Sequence, residues 1–118
     1  MCIRDRCASA TAILNWNAIP VFADIDPETY CLDPASVEAN ISPYTKAIMA
    51  IDIFGQSADM DALMAIAKKH RLKVISDTAQ APGALYKGKL AGTLAHIGGY
   101  SLNSVSYTHL TLPTTPYV

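Results

Sequence analysis

The amino-acid sequence predicts an α/β fold in which a mostly parallel sheet is flanked by helices. Segments with helical spacing of apolar residues alternate with short apolar runs, and several of these runs end at a polar residue. Strands that alternate with helices favour right-handed crossovers and therefore parallel pairing. Apolar residues make up 51% of the 118 residues, which is enough to form a core.

The first part of the chain predicts two helices with a strand between them. Residues 8–17 are rich in alanine and have apolar side chains at helical spacing, so we expect a helix. After Pro20, the apolar residues 21–23 predict a short strand that ends near Asp24. Asp33 is a suitable cap for a helix that continues over residues 35–41.

The second part predicts three strands and the clearest helix of the chain. Residues 46–51 form a short apolar run that is typical of a buried strand. A helix follows over residues 60–69, because one apolar stripe repeats at i, i+3, i+4 and i+7. The stripe consists of Met60, Leu63, Met64 and Ala67. Residues 72–76 then predict a strand ending at Asp77, residues 82–92 a glycine-containing loop, and residues 97–102 a last strand.

Composition and charge exclude several classes of partner. Lys and Arg number 9 against 10 Asp and Glu, so the net charge of -1 gives no footprint for nucleic acid or for an anionic membrane surface. The uncharged residues 7–23 are interrupted by Asn15, Asn17 and Pro20, whereas a membrane span needs about 20 predominantly apolar residues. Three irregularly spaced cysteines do not form a disulfide framework. We therefore expect a cytoplasmic location.

Two short patterns are weak indicators of other activities. Residues 24–26 match the Asp-x-Asp pattern of metal-dependent glycosyltransferases, but an ordinary turn before Pro27 is the simpler interpretation. Residues 99–103 nearly match the Gly-x-Ser-x-Gly elbow of hydrolases, with Asn103 in place of the second glycine. The histidines and cysteines lack the spacing of a zinc site, so no metal is expected.

In parallel sheets, ligands bind at the carboxyl ends of the strands. This rule directs attention to Asp24, Asp52, Asp77 and Ser101. Small residues follow Asp77 over residues 78–84 and would let a flat ligand approach. Its carboxylate could pair with a protonated ring nitrogen, as pyridoxal phosphate requires. On spacing alone, a carboxylate that caps a neighbouring loop is the simpler interpretation.

Seven motifs occur in an order that is specific when they are taken together. They lie at residues 8–13, 20–26, 45–48, 55–61, 74–80, 86–89 and 100–103. With them, residues 8–103 resemble part of the large domain of the DegT/DnrJ/StrS family of pyridoxal-phosphate-dependent sugar aminotransferases. The resemblance implies the fold type I architecture of these enzymes, of which this chain would hold a partial large domain.

The resemblance also implies roles for individual residues. Asp77 would pair with the pyridine nitrogen of pyridoxal 5'-phosphate, Gln80 would lie beside its 3-hydroxyl group, and Ser101 would bind its phosphate. Asp24 and Asp26 would be turn residues of the scaffold rather than metal ligands. The family places its Schiff-base lysine where this sequence has Ser106, so no catalytic residue is assigned.

Both ends of the sequence differ from its middle. Residues 104–118 contain no Asp, Glu, Lys or Arg and cluster Thr and Pro, and residues 1–6 also break the pattern. Both tracts resemble translated sequencing-adapter read-through. We therefore expect residues 7–103 to be a partial cofactor-binding large domain from a truncated gene, with non-native tips at residues 1–6 and 104–118.

The resemblance finally implies an activity for the parent protein. It would transfer an amino group from a donor, expected to be glutamate, to a nucleotide-linked keto sugar, in a homodimer serving polysaccharide biosynthesis. A pyridoxal-phosphate-dependent sugar dehydratase of the same family is an alternative. The other alternative is an inactive truncated fragment, and the 118-residue chain itself is expected to be inactive because the lysine is missing.

Overall fold

A computed structural model describes residues 7–102 and shows an α/β arrangement, which confirms the predicted fold class. The three helices in these residues are α1 (Ala8–Asn15), α2 (Pro34–Ala39) and α3 (Met60–His70). The strands are β1 (Ala47–Ile51), β2 (Lys73–Asp77), β3 (Leu85–Tyr86), β4 (Lys89–Leu90) and β5 (Ile97–Gly99). The longest of the helices between residues 7 and 102 is α3, and none of them could cross a membrane.

Strands β1, β2 and β5 form a parallel sheet in which β2 lies at the centre. The register places Asp77 between Ile51 on β1 and Gly99 on β5, so the carboxyl ends of all three strands are aligned. Two backbone hydrogen bonds extend this alignment beyond the strands. The Asp52 N–H donates to the Asp77 carbonyl at 2.9 Å, and the Thr78 N–H donates to the Gly99 carbonyl at 2.8 Å.

Helix α3 covers the sheet with the stripe that the sequence predicts. Met60, Leu63 and Ala67 are buried in the same core cluster as Ile48 and Val74 of the sheet, and Leu63 is 0% exposed. The side chain of Asp59 caps the helix by accepting a hydrogen bond from the Ala62 N–H. Its last turn carries Lys68, Lys69 and His70, which complement the negative end of the helix dipole.

Helix α2 also begins as the sequence predicts. The Asp33 carboxylate accepts hydrogen bonds from the N–H groups of Ala35 and Ser36, and Pro34 occupies the first helical position.

The prediction of a strand over residues 21–23 is wrong. Val21 and Phe22 are 69% and 77% exposed, and these residues pair with no other strand among residues 7–102. An apolar run becomes a strand only where a neighbouring strand satisfies its backbone N–H and C=O groups. The chain continues into a turn closed by an isolated antiparallel bridge between Ile25 and Leu32.

The loop predicted over residues 82–92 contains a small hairpin, β3–β4. Lys87 and Gly88 connect its strands with φ values of 50° and 77°, the left-handed pair that a two-residue hairpin turn requires. Other boundaries differ less from prediction. Helix α1 ends two residues early, before a left-handed Asn17, and β5 ends at Gly99 rather than at residue 102.

Candidate functional site

The carboxylate of Asp77 is the centre of the candidate site. It is half-buried at the carboxyl end of the central strand β2. The Ser9 hydroxyl donates a hydrogen bond to Asp77 Oδ2 at 2.6 Å, and the Ala79 N–H donates to Oδ1 at 3.2 Å. Ser9 lies in the first turn of α1, so this contact joins the start of that helix to the sheet edge. No pattern in the sequence indicates a role for Ser9.

Gln80 and Ser101 lie beyond the same edge of the sheet. Gln80 follows β2 by three residues, and its carbonyl accepts a hydrogen bond from the Gly55 N–H at 3.1 Å, which joins the loops after β1 and β2. Ser101 is half-buried and follows the end of β5 by two residues. The topology thus puts Asp77, Gln80 and Ser101 on adjacent segments. Their assignment to the ring nitrogen, hydroxyl and phosphate stays a prediction.

A buried polar network centred on Asp52 joins the carboxyl ends of β1 and β2. Asp52 follows β1 and is 0% exposed. Its Oδ2 accepts hydrogen bonds from the Ser76 and Thr78 hydroxyls, both at 2.8 Å, and its Oδ1 accepts one from the Ala58 N–H at 2.9 Å. The carboxyl-end rule indicated Asp52 as a candidate. The structure shows that it holds the ends of β1 and β2 together on either side of Asp77.

The donor set at Asp77 fits a protonated nitrogen heterocycle. An ionised carboxylate has about four acceptor positions, and the two hydrogen bonds from Ser9 and Ala79 use two of them. The remaining positions can accept a further N–H, and the half-buried setting strengthens such a bond relative to water. The residues present are therefore chemically compatible with a pyridinium nitrogen at Asp77.

Asp26 forms a turn, as the simpler interpretation of residues 24–26 predicts. Its Oδ1 accepts hydrogen bonds from the backbone N–H groups of Glu28 and Thr29 at 2.8 and 2.9 Å. The Thr29 and Glu28 N–H groups lower the pKa of the Asp26 carboxyl below its usual range. Within residues 7–102, no group of three or more His, Cys, Asp or Glu side chains could hold a metal ion.

The segment that leads into β5 is packed tightly behind the edge. The Tyr100 hydroxyl donates to the Ala91 carbonyl, and Gly92 adopts a left-handed φ of 81°. A side chain at Gly92 would come within 2.6 Å of the Tyr100 hydroxyl oxygen and within 2.8 Å of Thr78 Oγ1. Only a glycine can therefore occupy this position while Tyr100 and Thr78 stay in place.

A cavity of about 750 Å³ lies apart from Asp77, between the start of α3 and the β3–β4 hairpin. The Tyr86 hydroxyl donates to Asp59 Oδ1 at 2.7 Å, and Lys87 forms an ion pair with Asp61. The hydrogen bond from Tyr86 lowers the pKa of Asp59. The pKa of Tyr86 is raised, mainly by its burial and next by its hydrogen bond to Asp59. The charged groups on this wall are therefore already paired.

Two predictions from the sequence concern residues that the structure does not describe. They are the absence of the Schiff-base lysine at Ser106 and the non-native character of residues 1–6 and 104–118.

Comparison with known proteins gives consistent matches. The model of the DegT/DnrJ/EryC1/StrS aminotransferase family matches residues 6–108. The chain is 48% identical over 95 residues to an L-glutamine:2-deoxy-scyllo-inosose aminotransferase of Streptoalloteichus tenebrarius, covering 80% of this chain and 22% of the relative. It is also 52% identical over 94 residues to a pleiotropic regulatory protein of Geobacillus stearothermophilus, covering 80% and 25%.

Solved structures also match this chain over most of its length. The aminotransferase from Psychrobacter cryohalolentis is similar with a TM-score of 0.78 and 44% identity, over 80% of this chain and 24% of that one. DesI in the presence of its TDP-sugar product gives 0.69 and 38%, over 75% and 23%. NtdA from Bacillus subtilis with bound cofactor PMP gives 0.66 and 39%, over 72% and 20%. The chain thus spans about a fifth to a quarter of the length of these relatives.

Proposed function

The chain belongs to the DegT/DnrJ/EryC1/StrS aminotransferase family, and on this basis we propose that it forms part of a pyridoxal-phosphate-dependent sugar aminotransferase. The observation that carries the proposal is the Asp77 carboxylate, which Ser9 and Ala79 hold at the carboxyl end of the central parallel strand. Ligands of open parallel sheets bind at this edge.

In this proposal the three site residues hold different parts of the cofactor. Asp77 keeps a proton on the ring nitrogen, Gln80 contacts the 3-hydroxyl oxygen, and the Ser101 hydroxyl binds the phosphate. When bound, pyridoxal phosphate supplies the electron sink through which an amino group is removed from a donor and passed to an acceptor. Asp52 holds the ends of β1 and β2 in register, so the edge that carries Asp77 stays fixed.

The acceptor we propose is a ketone on a polyhydroxylated ring. Nucleotide-linked keto sugars fit the sequence resemblance, and the TDP-sugar product named with DesI supports that class. The Streptoalloteichus relative is named for an inosose, which is a ring ketone without a nucleotide. We therefore compare this second class of acceptor with the nucleotide-linked keto sugars. The same relative names L-glutamine, so L-glutamine replaces glutamate as our first choice of donor. We propose a cytoplasmic homodimer for the whole enzyme.

The experiment that tests this function uses the full-length enzyme that contains this segment. Purified enzyme is incubated with L-glutamine and either a TDP-keto sugar or 2-deoxy-scyllo-inosose, and the aminated product is measured by mass spectrometry. We expect Asp77→Asn to lower turnover by about 100-fold or more, because a neutral amide cannot hold the ring nitrogen protonated. Undiminished turnover in Asp77→Asn would rule out the assigned role. A deoxygenated product instead of an amine would indicate the dehydratase.

We also propose that the 118-residue chain has no transaminase activity of its own. Covalent attachment of the cofactor needs an amine at the family's lysine position, and the sequence has Ser106 there. The remaining lysines that the structure describes lie at strand starts, on the last turn of α3 or in the hairpin. The purified chain is mixed with pyridoxal phosphate and treated with borohydride, and its mass is measured by mass spectrometry. A stoichiometric covalent adduct together with amine transfer would refute this proposal.

A further inference from the structure

We propose that Ser9 is a positioning residue for the cofactor site, because its hydroxyl fixes the orientation of the Asp77 carboxylate. The inference rests on the proposed function, since it assumes that Asp77 faces the ring nitrogen of pyridoxal phosphate. Ser9 does not touch the cofactor in this proposal. It acts through Asp77, to which it donates a hydrogen bond at 2.6 Å from a position 68 residues earlier in the chain.

The most buried side chain of α1 is a polar one. Ser9 is 7% exposed and is the one buried residue of the helix, while its apolar Leu14 is 56% exposed. The hydrogen bond between the Ser9 hydroxyl and the Asp77 carboxylate thus joins α1 to the end of β2, alongside the half-buried Ala10 and Ile13. The other hydroxyl of the helix, on Thr11, is exposed and donates to the Cys7 carbonyl within its own turn. Thr11 thus provides a matched control.

The geometry at Asp77 explains why one hydroxyl matters. The terminal torsion of an aspartate is broad, so a carboxylate with a single partner rotates easily. Ser9 and Ala79 donate to different oxygens, Oδ2 and Oδ1, and two donors define the plane of the carboxylate. The Ala79 hydrogen bond is the longer of the two, at 3.2 Å. Without Ser9, that bond alone would restrain the plane.

A rotated carboxylate would hold the ring proton less well. Hydrogen bonds weaken steeply as the donor angle falls towards about 120°. The start of a helix also favours negative charge, so the contact with the first turn of α1 stabilises the carboxylate that the pyridinium needs. Loss of the Ser9 hydroxyl should therefore reduce both cofactor affinity and the protonated fraction of the ring nitrogen.

The test compares Ser9→Ala, Ser9→Thr and Thr11→Val in the full-length enzyme. The first readout is the dissociation constant of pyridoxal phosphate, measured by fluorescence titration. The second is the nitrogen-15 chemical shift of ring-labelled pyridoxal phosphate, which reports protonation of the ring without any turnover. We expect Ser9→Ala to weaken binding about tenfold, as for loss of one hydrogen bond to a charged group, and to move the shift towards neutral pyridine.

Ser9→Thr should restore both readouts because it keeps the hydroxyl, and Thr11→Val should match the wild type. Ser9→Cys, which is nearly isosteric but a weak donor, is the second variant if Ser9→Ala fails to fold, and it should behave like Ser9→Ala. Wild-type affinity and chemical shift in both Ser9→Ala and Ser9→Cys would overturn the inference. Asp77→Asn distinguishes a failure of the Ser9 inference from a failure of the proposed function. If Asp77→Asn changes both readouts while the Ser9 variants change neither, Asp77 faces the cofactor but does not need Ser9. If Asp77→Asn also changes neither readout, the proposed function fails.

Discussion

Replacing Gly98 by alanine should destabilise the protein strongly, whereas the same change at the next residue should not. Gly98 and Gly99 both lie in β5, and neither has the left-handed φ that would itself penalise alanine. A Cβ at Gly98 would lie 2.7 Å from the carbonyl carbon of Gly92 and closer still to its oxygen. A Cβ at Gly99 would meet its nearest atom, the Ser76 carbonyl oxygen, at 3.9 Å, an ordinary contact.

The structure gives the size of the effect. Ordinary contact begins at 3.4 Å, so the Gly92 carbonyl carbon would have to move by about 0.7 Å, and its oxygen by more. Gly92 has little room to move, because the Tyr100 hydroxyl oxygen and Thr78 Oγ1 lie within 2.8 Å of where its own Cβ would be. Overpacking of this kind costs about 1–3 kcal/mol, and contact with backbone rather than with a flexible side chain favours the upper end.

The assay is equilibrium urea unfolding of the full-length protein, followed by circular dichroism. We expect Gly98→Ala to lose about 3 kcal/mol of unfolding free energy, and Gly99→Ala to stay within about 1 kcal/mol of the wild type. Equal losses in the two variants would refute the reasoning, because the cost would then come from chain entropy or strand propensity and not from the contact with Gly92.

Three further predictions concern the core, the buried network of Asp52 and the hydrogen bond between α3 and the hairpin. Leu63→Ala should cost about 2–5 kcal/mol in urea unfolding, since the side chain is fully buried between α3 and the sheet; a loss below about 1 kcal/mol would contradict that packing. Asp52→Ala should cost about 3 kcal/mol or more, because two hydroxyls and one N–H lose their acceptor; wild-type stability would show that water replaces it. The lowered pKa of Asp59 adds stability above the usual value of 3.8 that is lost as pH falls below it. The stability difference between wild type and Tyr86→Phe should therefore shrink in acid, and a difference independent of pH would exclude the hydrogen bond as its source.

Local patterns predicted the elements whose signals are local. The stripe of α3 and the Asp33 cap depend on residues within a few positions of one another, and both are confirmed. The β3–β4 hairpin was missed because its turn is Lys87-Gly88. The usual sequence signal for such a turn is Asn-Gly or Asp-Gly, since lysine rarely adopts the left-handed φ of 50° that it has here.

Features that depend on distant partners could not be predicted in the same way. Residues 21–23 have the composition of a strand, but pairing decides whether a strand forms, and no pairing partner lies in the described part of the chain. The contact of Ser9 with Asp77 spans 68 positions, and no local pattern marks Ser9 as a donor. Family resemblance indicated Asp77, Gln80 and Ser101, whose roles stay predictions. It supplied no information about which residue orients Asp77.

The contact between α1 and the end of β2 has a consequence for biosynthesis. Asp77 leaves the ribosome 68 residues after Ser9, which corresponds to a delay of about 3–14 s at 5–20 residues per second. An isolated helix of eight residues is not stable in water, so α1 cannot persist during this interval. Its segment instead emerges as an apolar peptide without a partner. Until Asp77 has been synthesised, this segment is therefore open to chaperones that bind apolar nascent peptides.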